Sequence, residues 1–284
     1  MTTKRLRLIG FACALAGTAS CAMAHDTWFT PRPSNRTAEV ALALGTGNRF
    51  PVHETGVGIE YLMRSGCRGD AKAPPIALQR VDDAPTALWL RASARSDQPL
   101  SCWAQLSPFE VQLAPDKIAI YLMDIQASPA VRQAWAAMNA RGVPWKERYT
   151  KHARIDLNPG AGAALPVDMA MDILLESPQR PLQQRQTLQF RVLRDGQPLP
   201  DFSVEMRNER SPLGLWRKTD ASGRVSFIAP LAGRWVLRGV DLRLSESEPD
   251  LWVSRFVTLA FDVAPPSANQ IDDVEATNRS RKAQ

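Results

Sequence analysis

The chain has 284 residues, 44% of them hydrophobic and 23% charged, with a formal net charge of +6 at pH 7, enough material for one large domain or two of ordinary size. No window is apolar enough to span a bilayer, which takes roughly 20 apolar residues, and the modest positive charge leaves no footprint for nucleic acid.

The amino-terminal residues read as a secretory signal: basic Lys4, Arg5 and Arg7, an apolar run over 8–16, and Ala22-Met23-Ala24 as a small-x-small cleavage site. Residues 1–24 are therefore expected to be removed and the product to be soluble and exported. A lipoprotein is the weaker reading, because Cys21 follows Thr18-Ala19-Ser20 without the bulky aliphatic residue a lipidated Cys wants three places earlier. Cleavage after Ala24 would give His25 a free α-amine, and amine and imidazole together can chelate one metal ion.

The chain then patterns as a β-rich segment over 25–176. Val40, Leu42 and Leu44 alternate as in a half-buried strand, and further strands are expected over 59–63, 87–92, 100–106 and 109–113, separated by turn-forming Gly, Pro, Asp and Ser. Cys67 and Cys102 are an even pair suited to one disulfide in an oxidising compartment. A helical insertion is expected at about 115–141, its second helix entered through Ser128-Pro129 and left at Gly142. Residues 145–157 read as a strand with Tyr149, Lys151, Ala153 and Ile155 on one face and Arg148, Thr150, His152 and Arg154 on the other.

A boundary is expected near Ser177-Pro178. Beyond it, alternating runs over 187–193, 202–206, 225–228, 233–238 and 256–263 suggest an immunoglobulin/prealbumin-like β-sandwich over 177–264, followed by a disordered tail over 265–284. The expected fold class is mainly β, with two β-sandwich-like domains, the first carrying the helical insertion.

No nucleophile elbow, phosphate-binding Gly-rich loop or zinc-protease helix is present, which counts against an enzyme although a folded enzyme can lack all three. His25 is the centre of the metal-site hypothesis, with Asp26, His53, Glu54 and Asp241 as additional ligand candidates. Amine, imidazole and carboxylate suit nickel, cobalt, copper or zinc. His53 lies in a loop where a solvated ring is the default, and His152 shares its face with two arginines that disfavour a cation. Glu147, Tyr149 and Lys151 can form a buried ion pair or a ligand-orienting cluster.

The His25-Asp26-Thr27-Trp28-Phe29 start, Gly45 to Pro51, Tyr121-Leu122, Glu147-Arg148-Tyr149-Thr150-Lys151, the turn from Asp220 to Arg224, Gly233-Arg234-Trp235, and Leu251-Trp252 before Phe261 together resemble a domain-of-unknown-function family described as periplasmic components of cobalt and nickel transport systems. The resemblance implies a periplasmic, non-enzymatic protein for uptake or handling of Ni²⁺ or Co²⁺, working with a membrane transport component. Asp241 stands near where family members often carry a His, so either it offers an oxygen ligand instead or this chain has lost part of the site.

Two other classes compete. An adhesive or scaffolding module would present Trp28, Trp89, Trp103, Trp216 or Trp252 to a protein or glycan. A copper oxidase with an amino-terminal His brace would need His53 or His152 beside His25.

Overall fold

The computed structural model describes residues 25–69, 73–158, 165–177 and 181–266; the expected signal and nearly all of the expected tail lie outside them. In chain order the strands are β1 (Asp26–Arg32), β2 (Val40–Gly47), β3 (Thr55–Gly56), β4 (Leu62–Arg68), β5 (Gln79–Ala84), β6 (Ala87–Ala92), β7 (Leu100–Leu106) and β8 (Phe109–Leu113). Helices α1 (Pro115–Asp124) and α2 (Pro129–Ala140) follow, then β9 (Trp145–Leu157), β10 (Met171–Leu175), β11 (Thr187–Arg194), β12 (Gln197–Pro198), β13 (Ser203–Asn208), β14 (Leu215–Lys218), β15 (Arg224–Ile228), β16 (Gly233–Leu244) and β17 (Trp252–Val263). The protein is mainly β and sandwich-like, with two α-helices among the described residues. Neither is long and apolar enough to cross a membrane.

The helices begin where their sequence signals lie. Ser128 accepts a hydrogen bond from the Val131 amide at 3.3 Å with Pro129 in the first turn, so the cap satisfies a donor the helix cannot. Gly142, just beyond α2, has φ +72°, a conformation that costs glycine little.

Three sheets stack in layers. The central eight-stranded sheet runs β14-β13-β16-β17-β9-β7-β4, with β8 also on β9. β17 and β9 pair in parallel, Trp252 opposite Glu147 through Phe261 opposite Asp156. On one face, the sheet of β10, β11, β12 and β15 packs Ile173, Phe190 and Phe227 against Leu237, Leu259 and Phe261. The other face carries two adjacent cores. In one, Phe29, Leu42 and Leu90 of the five-stranded sheet (β1, β2, β3, β5, β6) meet Ile155, Val236 and Ala260. In the other, Ile118, Tyr121 and Leu122 of α1 meet Trp145, Val240, Trp252 and Phe256. Alternation along β9, β16 and β17 assigns these residues to opposite faces because successive side chains in a strand point opposite ways.

The boundary drawn near residue 177 falls between strands that the central sheet joins: β4, β7, β8 and β9 come from before it, and β13, β14, β16 and β17 from after it. The predicted disulfide is present, Cys67 to Cys102, between residues in register on β4 and β7.

Candidate functional site

The two cores on the α1 side do not meet as one apolar mass. Between them runs a polar seam built by β1, α1, β9, β16 and β17, and His25 lies at its end.

β1 is set over the central sheet by a ladder of contacts. Phe29 packs in the core that holds Ile155 and Ala260, and the Thr258 hydroxyl donates to the Thr27 carbonyl at 2.6 Å. Thr258 is paired with Ala153, and Phe256 with Lys151. Stepping back one pleat along β1, from Thr27 to His25, brings the chain level with Phe256 and Lys151. Electrostatics agree, since the Lys151 charge acts on the His25 ring.

Within the seam the charges are largely matched. Arg238 donates to Asp26 Oδ2 at 2.5 Å, to Glu205 Oε2 at 2.7 Å and to both the carbonyl and carboxylate of Asp124 at 3.0 Å. Arg207 adds a second bond to Glu205 at 2.8 Å. Asp26, Glu205 and Arg238 are all buried, where an unpaired charge would be expensive. Asp26 therefore faces inward to Arg238, although its Oδ1 has no partner among the described residues.

Glu147 is buried and held by neutral donors: the Tyr121 hydroxyl at 2.8 Å, the Trp145 indole at 2.9 Å and the Ser254 hydroxyl. Burial pushes its carboxyl upward and the three donors oppose this. Burial, followed by the neighbouring Glu147 charge, pushes the Tyr121 phenol well up. These bonds tie α1 to β9 and β17. Lys151, on the same face of β9, is different: its Nζ lies 5.5 Å from the centroid of the Tyr149 ring, and burial pushes its pKa down to about 8.

Of the sequence-predicted ligands, His25 and Glu54 come together, with Nδ1 4.0 Å from the carboxylate. Burial holds the His25 imidazole below its ordinary range; Lys151 pushes the same way, while Glu54 and Asp26 oppose. His53 precedes Glu54, but its ring lies against Trp28 with centroids 5.8 Å apart, its Nε2 3.1 Å from the Trp28 carbonyl. Glycine at 45 admits that ring, since a Cβ there would come within 2.5 Å of His53 Cγ. Burial lowers the His53 pKa too.

Asp241 does not join them. It lies three residues beyond Arg238 on β16 and thus on the opposite face, where Arg243 contacts it at 2.9 Å and Arg194 at 3.5 Å. His152 also faces away from His25, its Nδ1 bonded to the Phe256 carbonyl at 2.9 Å. Among the described residues no group of three or more His, Cys, Asp or Glu side chains is placed to hold a metal ion; the α-amine that processing would add to His25 is a donor of another kind. Trp28, Trp103 and Trp252 are core residues. Trp89 and Trp216 are half-buried, with the Arg32 and Arg238 guanidinium carbons 3.6 Å and 5.8 Å from their ring centroids.

Sequence reading named Glu147, Tyr149 and Lys151 through their shared strand face, but not Tyr121, Arg238 or Ser254 as members of this seam. A family model described as a domain of unknown function (DUF4198) matches residues 22–240, a span that includes His25, Glu54, Lys151 and Arg238. No curated protein matches the chain.

Proposed function

Because the chain belongs to the domain-of-unknown-function family DUF4198, we propose that it is an exported, non-enzymatic protein that binds a divalent transition-metal ion and hands it on in nickel or cobalt uptake. The observation that carries this reading is the approach of the His25 imidazole to the Glu54 carboxylate. Cleavage after Ala24 would add an amine to that pair, giving two nitrogens and a carboxylate oxygen. That donor set suits Ni²⁺ or Co²⁺, and also accepts Cu²⁺ or Zn²⁺.

The surroundings support metal as cargo. Burial favours the neutral imidazole, the form that ligates. A half-exposed histidine at the end of a strand leaves coordination positions open for exchange with a membrane component. The Cys67–Cys102 disulfide suits an oxidising, periplasmic compartment. Asp26 is a positioning residue in this reading, since its pairing with Arg238 anchors the residue after His25 to the sheet.

The test is isothermal titration of the processed protein with Ni²⁺, Co²⁺, Cu²⁺ and Zn²⁺, beside a variant with one extra Ala before His25 and beside Glu54→Gln. The extended variant should lose affinity by about 100-fold and Glu54→Gln by about ten-fold, the latter corresponding to roughly 1.4 kcal/mol. Equal affinity in the extended variant would overturn the proposal.

A further inference from the structure

The seam next to His25 contains one cation, Lys151, that makes no direct ion pair among the described residues. Arg238 and Arg207 share Asp26, Glu205 and Asp124, while Glu147 is satisfied by three neutral donors. Lys151 enters none of the ion pairs or hydrogen bonds among the described residues, and the Tyr149 ring stands beside it. Glu147 lies four residues away along β9, about 13 Å at strand rise, too far for a pair. The Asp26 charge reaches Lys151 only through space, its Oδ2 being committed to Arg238.

A half-buried ammonium whose donors are all unused can bond an anionic oxygen brought in from outside the chain, and such a charge-assisted bond is stronger than a neutral one. The ladder along β1 puts that ammonium level with His25. We propose that Lys151 is a carboxylate-binding subsite and that the metal is taken as its complex with a small hydroxy- or amino-carboxylate chelator. His25 ligates the ion, Lys151 pairs with a carboxylate oxygen of the chelator, and the Tyr149 ring forms the apolar wall beside that pair. This inference rests on the metal-binding reading above and goes beyond it by naming the chemical form of the cargo.

The experiment compares binding of Ni²⁺ alone, Ni²⁺ with citrate and Ni²⁺ with free histidine to the processed protein, to Lys151→Met and to Lys151→Arg. A chelated form should bind the wild-type protein about ten-fold tighter than the free ion, as expected of one charge-assisted hydrogen bond. Lys151→Met should lose that margin and keep its free-ion affinity, and Lys151→Arg should retain most of it. Amine-reactive labelling of Lys151 in the unaltered protein supplies a second reading that needs no variant: nickel citrate should slow it, and nickel alone should not. Free-ion binding with no preference for a chelate, or no protection of Lys151, would overturn this inference and leave the metal-binding reading standing. Failure to bind nickel in any form would overturn both.

Discussion

His152 shows what burial does to one titratable ring in this fold. It is 1% exposed, its Nδ1 donates to the Phe256 carbonyl, and its Nε2 has no partner among the described residues. Burial is the main reason its pKa falls to about 4; the Phe256 bond opposes this, Arg255 pushes the same way, and Asp195 opposes from its pair with Arg255. The unfolded chain, with an ordinary value of 6.5, takes up the proton first as pH drops. The contribution of the neutral ring is therefore complete above pH 6.5 and lost progressively towards pH 4, by at most about 3 kcal/mol. Urea denaturation at pH 7.0 and 4.5 should show wild-type stability falling more than that of His152→Phe. Equal falls would remove His152 from the acid response. At this scale the sequence discloses candidates without their partners. His25, Glu54 and Lys151 were nameable from residue type and strand parity. Asp26 pairs with Arg238 across 212 positions and Ser254 with Glu147 across 107, and no local pattern announces such pairs. Asp241 was nameable as an oxygen donor, but its face was fixed only by the register of β16 on β17.

Elements whose residue types alternate announced themselves, β7 included although it is buried throughout, and those without such alternation did not. β6, β7, β8 and β9 occupy the ranges their alternation implies. β1 passes unnoticed because its buried residues come as two polar ones, Asp26 and Thr27, followed by two aromatic ones, Trp28 and Phe29, which leaves no period of two. β5 passes unnoticed for a different reason: Gln79 to Asp83 are exposed, and it forms an outer strand beside β6. β16 runs to Leu244, past the expected end at Arg238, because Gly239 and Asp241 interrupt the apolar alternation while the ladder with β17 continues. The same logic makes β4 the vulnerable edge of the central sheet. Its ladder neighbour there is β7 alone, and the Cys67–Cys102 bridge fastens the pair across a sequence separation of 35. In the chain-entropy account such a closure stabilises by about 4 kcal/mol. The Cys67→Ala, Cys102→Ala double variant should lose stability up to that figure. Its amide-exchange protection should fall first over Leu62–Arg68, while β16 and β17 stay protected. Uniform loss of protection along the chain would show that the bridge supports the whole fold.

The whole molecule is organised around the parallel pairing of β9 with β17, which spans ten registered positions from Trp252–Glu147 to Phe261–Asp156. Parallel neighbours need a crossover, and here the chain between them supplies the four-stranded sheet and three of the eight strands of the central one. A cut at residue 177 would leave β17 without β9 and β10 without β11, exposing Ile173, Phe190 and Leu259 together with unpaired strand edges. Arg154, 0% exposed, would keep Asp156 at 3.1 Å and Asp172 at 3.0 Å, both of which precede the cut. Yet that cluster lies on the β9 face covered by β10, whose backing is β11 from the other fragment. Each piece would keep its charges and lose the layer that shields them. Fragments 25–177 and 178–266, expressed separately, should therefore lack cooperative unfolding and dispersed amide spectra, and co-expression should restore both. If 178–266 alone unfolds cooperatively, the second segment carries its own core, and the shared sheet is an interface between two folded units.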